Sequence, residues 1–185
     1  MNLTELARAR AEAGRPVTCA LIGAGKFGTM FLAQVPRIAG LHVSHIADLD
    51  PERARAACRA AGWSAERLAA TRFLDDGQAA ARAGAEVVVE ATGAPEAGLV
   101  HAGAALDAGS HVVMVNVEAD VLAGPVLAAR ARAAGLVYSM AYGDQPALVA
   151  EMVDWARACG FRVMAAGKGT KYLPHFHQVT PDEGW

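Results

Sequence analysis

In the stretch LIGAGKFG, Gly23, Gly25 and Gly28 occupy the spacing GxGxxG, and each position has a mechanical reason to be glycine. Gly23 permits a tight turn, Gly25 lets the backbone approach a pyrophosphate, and Gly28 lets a helix pack against the preceding strand. A helix opening at Lys26 and Phe27 turns unpaired N–H groups and the positive end of its dipole toward the same phosphates. Asp48 follows Gly28 by twenty residues, at the end of the next apolar run, where a carboxylate accepts hydrogen bonds from a ribose diol. These are the parts of a dinucleotide site, for NAD or NADP. Asp48 leans toward NAD, because a carboxylate repels a 2′-phosphate, whereas Arg53, within a helical turn of the loop, offers the guanidinium an NADP site uses. The alternative is a glycine turn made for packing alone, with Asp48 and Asp50 as loop caps and Arg53 as an exposed helix charge.

Polar residues stand at the ends of other apolar runs, where they are expensive unless used. Thr92 and Gly93 end EVVVEATG ahead of a helix at Pro95, so backbone passes a cofactor there without side-chain obstruction. In HVVMVNVEAD, Asn116 suits the carboxamide or the nicotinamide ribose, and Glu118 suits a substrate hydroxyl or a lysine; otherwise both cap the next helix. Asp144 and Gln145 pose the same choice. His101 and His111 read as helix and strand-entry residues without chemistry. The closing stretch GKGTKYLPHFHQVTPDEGW supplies the catalytic candidates, Lys168 and Lys171, since an ammonium stabilises negative charge developing on oxygen during hydride transfer. Tyr172, His175 and His177 are placed to donate protons or shape the pocket. His175 and His177 with Asp182 and Glu183 do not complete a known ligand spacing, so no metal is assigned. A solvated tail is the alternative for the whole stretch.

The elements that must position these residues follow one alternation from Pro16 onward: short apolar run, glycine turn, alanine-rich helical stretch, glycine, next run. That is the pattern of strands joined by crossover helices, hence a doubly wound α/β domain with a parallel sheet covered on both faces and strand order 3-2-1-4-5-6. The strands are VTCALIG, LHVSHIAD, a weak ATRFL, EVVVEAT, HVVMVNV, LVYSMAY and FRVMAAG. Helices are predicted over residues 51–61, 95–108 and 125–134, with another from Pro146 to just before Gly160. Residues 1–14 form a leading helix, 15–166 the dinucleotide-binding domain, and 167–185 the start of a truncated catalytic domain.

With 185 residues, 54 % hydrophobic, 19 % charged and a formal net charge of -2, the chain reads as an ordinary globular protein with one full domain, and no basic excess suggests nucleic acid. Cys19, Cys58 and Cys159 lack CxxC pairing and read as structural residues of a reducing, cytoplasmic compartment. No continuous apolar stretch suggests a membrane span. A methyltransferase would carry a GxGxG turn and a closing antiparallel hairpin, neither of which is present.

Taken together, LIGAGKFGTMFLAQ, IADLDPERA, HVVMVNVEADVLAGP and GKGTKYLP make the chain resemble the homoserine dehydrogenase-like oxidoreductases, and within them the branch described as deoxyxylulose-phosphate reductoisomerase-like. The resemblance spans nearly the whole chain. It implies a nucleotide-binding domain followed by a catalytic domain, NADPH as cofactor and a sugar-phosphate ketone as substrate. Two positions depart from the homoserine dehydrogenase pattern: Val117 stands where that family has a catalytic lysine, and Lys168-Gly169-Thr170 replaces its Asn-Gly-Thr. The expectation is therefore the NAD(P)-binding domain of an oxidoreductase acting on a small carbonyl or hydroxyl compound, with residues beyond Trp185 needed for turnover. A homo-oligomer paired through an exposed strand edge is open, and a non-catalytic redox-sensor module is the rival.

Overall fold

The computed structural model describes residues 2–143 and 145–167. They divide into two compact units, Met1–Ala141 and Tyr142–Trp185.

The first unit contains six strands, β1 Val17–Ile22, β2 Leu41–Ala47, β3 Arg72–Leu74, β4 Val87–Glu90, β5 His111–Met114 and β6 Tyr138–Met140. All neighbours pair in parallel, in the order β3-β2-β1-β4-β5-β6. This is the doubly wound arrangement, and its reversal of order lies between β1 and β4, where open α/β sheets bind ligands. Seven helices accompany the strands: α1 Leu3–Glu12, α2 Lys26–Gln34, α3 Pro51–Ala60, α4 Ala65–Ala69, α5 Gly77–Ala81, α6 Pro95–Asp107 and α7 Val117–Ala133.

Successive residues of β1 feed opposite cores. Cys19 and Leu21 join Leu32, Val35, Val43, Ile46, Cys58 and Trp63 on the face covered by α2 and α3. Ala20 and Ile22 join Val88, Ala102, Ala105, Val112, Met114 and Leu127 on the face covered by α5, α6 and α7. Cys19–Ile22 of β1 and Val88–Val89 of β4 are dry on both faces, so these central strands are continuous apolar runs rather than alternating ones. Each fully buried Leu, Ile or Met contributes about 1.5–3 kcal/mol through removal from water. On α6 the buried residues other than Leu106 are small, namely Gly98, Ala102, Gly103, Ala104 and Ala105, which brings that helix close to the sheet and to α7. Burial pushes the Cys19 thiol up to about 12 and the Cys58 thiol to about 11, the latter against the pull of Arg55, so both behave as packing residues. Cys159 is exposed and all three are free.

Local signals explain most helix starts. Asp50 accepts from the Arg53 N–H and Pro51 takes the first position of α3. Two short helices escape the sequence pattern: α4, capped by Ser64, and α5, capped by Asp76. The helix expected over 125–134 begins eight residues earlier, since Asn116 caps α7 by accepting from the Ala119 N–H at 3.1 Å. Pro125 is tolerated there because the helix is broken at Ala123 (φ -149°, ψ 16°), so two helical segments meet at a kink.

In the second unit, α8 spans Gln145–Ala158. Tyr142 donates to Glu151 at 2.9 Å, and the Trp155 and Phe161 rings lie 6.5 Å apart, tilted by 36°. The seventh strand expected from FRVMAAG does not form: residues 161–167 carry no regular structure. Val163, half-buried, lines a cleft with Val149 and Val153 of α8, whereas Phe161 and Met164 stay exposed, so the apolar composition of this stretch does not report a buried strand. Among the described residues, no helix is long and apolar enough to cross a membrane.

Candidate functional site

The three glycines of the loop after β1 have three different reasons to lack a side chain. Gly23 sits at φ +95°, and a Cβ there would lie 2.7 Å from the Ala91 carbonyl group; the turn and the close passage of the β4 end both require glycine. At Gly28 a Cβ would collide with the Gly23 carbonyl oxygen, so α2 could not seat on β1. Gly25 is the opposite case: nothing lies within 4 Å of the position its Cβ would take, and its φ of -71° suits any residue. Packing does not demand glycine at this position. What its bareness creates is an open cradle in front of α2, whose first turn has no side-chain cap and therefore presents unsatisfied N–H groups. Lys26 and Phe27 begin that turn and are exposed.

Asp48, one residue beyond β2, ties this loop down. Its Oδ2 accepts from the Ala24 N–H at 2.8 Å, and its Oδ1 accepts from the Asp50 N–H at 3.0 Å and from Arg53 Nη2 at 2.7 Å. Burial pulls its carboxyl pKa upward, but the hydrogen bonds from Arg53, Asp50 and Ala24 outweigh it and hold the group below its ordinary value.

A cavity of about 500 Å³ runs along the carboxyl edge of the sheet at the β1/β4 reversal. Gly23, Gly25, Asp48 and Arg53 form one side; Asp75, Asp76 and Gly77 after β3 form another; Thr92, Ala94 and His101 close it from the β4 and α6 side. The volume and the mostly apolar lining with a few polar groups suit a small-molecule cofactor site. A cradle free of a Cβ at Gly25, an uncapped helix start and an adjoining carboxylate fit the requirements of a dinucleotide.

Beneath the wall lies a polar cluster that sequence reasoning missed. Glu90, the last residue of β4, is 0 % exposed. Its Oε1 accepts from Thr92 Oγ1 at 2.6 Å and lies 3.2 Å from His101 Nδ1, while Oε2 has no hydrogen-bond partner. Thr92 is thereby fixed from below, and His101, which has no chemistry in the sequence reading, sits on the cavity wall with its Nε2 against Gly77. A glutamate directly after three valines was the available signal, since a charged residue at the end of a strand dry on both faces needs a partner.

Asn116 is buried, and its amide works inside the chain: Oδ1 caps α7, and Nδ2 donates to the Ala94 carbonyl at 2.9 Å. It fixes the start of α6 relative to α7 and does not line the cavity. Gly93 takes φ +72° in the turn between β4 and α6. Asp120 of α7 accepts from Tyr138 of β6 at 2.8 Å, and burial together with that bond raises the tyrosine pKa. Lys168, Lys171, Tyr172, His175 and His177, like Asp144, lie outside the described residues.

Comparison with known proteins fits this geometry. A family described as oxidoreductase DRL, catalytic domain, matches residues 143–184. No curated protein matches the chain. Among solved structures, an NAD binding oxidoreductase from Klebsiella pneumoniae superposes with a TM-score of 0.54 at 22 % identity, covering 78 % of this chain and 39 % of that one. A homoserine dehydrogenase from Thiobacillus denitrificans gives 0.56 at 22 %, covering 68 % and 29 %. The myo-inositol dehydrogenase of Lactobacillus casei, solved with NAD(H) and myo-inositol, gives 0.55 at 18 %, covering 76 % and 42 %. At such identities the likeness establishes the fold. The chain matches well under half the length of each of these proteins.

Proposed function

We propose that this chain is the NAD(P)-binding part of an oxidoreductase that moves a hydride between a nicotinamide cofactor and a small carbonyl or hydroxyl compound. The observation that carries the reading is the cradle at Gly25, an opening that packing does not require, set before an uncapped helix and beside Asp48. The bound dinucleotide would supply the hydride. The first turn of α2 would hold the diphosphate, with Gly28 setting the helix close enough to do so. Asp48 would keep the loop in shape through Ala24, and Thr92, braced by Glu90, would line the approach to the nicotinamide.

The likeness to a homoserine dehydrogenase and a myo-inositol dehydrogenase supports the reaction class, and the oxidoreductase family matched over residues 143–184 supports a catalytic region following the nucleotide domain. In that region Lys168 and Lys171 are the candidates to stabilise charge on the reacting oxygen. The resemblance to the reductoisomerase-like branch makes a sugar-phosphate ketone the first substrate class to try.

Titration with NADH, followed by nucleotide fluorescence, tests the reading. The wild-type chain should bind, and Gly25→Leu should abolish binding while circular dichroism and melting temperature stay unchanged, because nothing lies within 4 Å of the Cβ it adds. Unaltered affinity in Gly25→Leu would overturn the assignment.

A further inference from the structure

We propose that His101 is a ligand-binding residue of the cavity, holding the adenosine half of the nucleotide through its Nε2–H, and that Glu90 is the positioning residue that keeps the hydrogen on that nitrogen. This rests on the dinucleotide reading above. Two glycines that lack the positive φ of a turn make room for the pair. A Cβ on Gly77 would overlap the Nε2–Cε1 edge of the imidazole and crowd Ile22, and one on Gly98 would lie 3.1 Å from Glu90 Oε2 and 2.8 Å from Asn116 Nδ2. Glu90 decides where the hydrogen sits. Its side chain is 0 % exposed, and a carboxylate so buried needs either a proton or a cation beside it. Oε2 has no hydrogen-bond partner, so a proton placed there would be a buried donor without an acceptor. The proton of the pair therefore lies between Oε1 and Nδ1, which are 3.2 Å apart. On the carboxyl, it makes Nδ1 the acceptor and leaves the ring's own hydrogen on Nε2; on the ring, it makes an imidazolium with hydrogens on both nitrogens. Either way Nε2 is a donor.

That donor is unspent. Within the described residues His101 forms its hydrogen bond through Nδ1 alone, and Glu90 Oε2 is the one sealed side-chain nitrogen or oxygen without a partner, so Nε2 is open to the cavity that His101 and Gly77 both line. This end of the cavity is the base side. An acid at the end of the second strand meets the ribose, and Gly77 follows β3, one strand further out. Leu49, Ala94 and Ala97 give it apolar surface for a flat ring, while Asp75 and Asp76 offer acceptors only. An acceptor of the adenosine half, a ring nitrogen or a ribose oxygen, is what Nε2–H would take.

The test joins a spectrum to a titration. Nitrogen NMR of the ligand-free wild-type chain should show the His101 Nε2 protonated, and Glu90→Met, which removes the carboxylate at similar volume, should leave Nε2 protonated in only part of the molecules. NADH titrated by fluorescence, with ADP and nicotinamide mononucleotide as competitors, then reads the contact. His101→Leu should weaken NADH and ADP by about tenfold and leave the mononucleotide unchanged, and His101→Gln, whose amide N–H still donates, should restore part of the loss. An unprotonated Nε2 in wild type, unaltered NADH affinity in His101→Leu, equal weakening in the Leu and Gln variants, or a loss shared by the mononucleotide would overturn the proposal while sparing the dinucleotide reading. If His101→Leu does not fold, the wild-type spectrum and His101→Gln decide, with wild-type-like ADP affinity in His101→Gln expected to within a few-fold. Failure of NADH and ADP to bind wild type would remove both readings.

Discussion

Asp48 anchors the glycine loop only as a carboxylate, since a protonated acid cannot accept from Ala24, Asp50 and Arg53 together. Its folded pKa lies below its ordinary 3.8, so the stability it contributes is fully present above that value and is lost as pH falls through the lowered folded value. Glu86 behaves alike: bonds from the Thr18 N–H and from Arg10 keep its pKa below the ordinary 4.5. Chemical denaturation at successively lower pH should therefore show a falling midpoint, with Asp48→Asn starting lower at neutral pH and losing less on acidification; an unchanged slope would mean that Asp48 does not anchor the loop. At this scale the glycines and Asp48 were legible, because their roles follow from spacing along the chain. The Arg53 bond and the Glu90–His101 contact were not, because they depend on which rotamer a long side chain adopts and on how far α6 carries His101 past the end of β4.

Between β1 and α2 a single turn carries both folding and ligand constraints, and they separate by position. Gly23 answers to packing. Gly23→Ala combines a left-handed backbone with a 2.7 Å approach to Ala91, and should destabilise the chain by about 2–4 kcal/mol in urea unfolding. A loss no larger than that of an ordinary surface substitution would mean that the β4 end shifts to make room. The central strands were readable because burial on both faces leaves unbroken apolar runs such as CALI and VVV, and helix ends were readable where Asp-Pro or glycine punctuates them. Pro125 stands in the first turn after the break at Ala123, so the helix expected from it is the second segment of α7; the segment before the break was missed, and its signal was Asn116, a buried cap on the preceding loop. FRVMAAG was misjudged because a short apolar run does not by itself specify burial or a strand, and Phe161 and Met164 stay exposed.

At the scale of the molecule, the residues that line the cavity at the β1/β4 reversal all fall within Met1–Ala141. A chain ending at Ala141 should consequently fold, show one cooperative melt and bind NADH as tightly as the full chain; weaker binding would show that residues after Tyr142 complete the cradle. Fold class and strand order were legible from the alternation of elements, whereas Lys168 and Lys171, read as catalytic, lie outside the described residues. The sheet has a further property that bears on how copies of the protein meet. Its flanking strands, Arg72–Leu74 and Tyr138–Met140, each offer only three residues of main chain. A visiting strand would gain a rung or two of pairing there before running out of template, so lateral stacking into fibres is discouraged by sheer brevity.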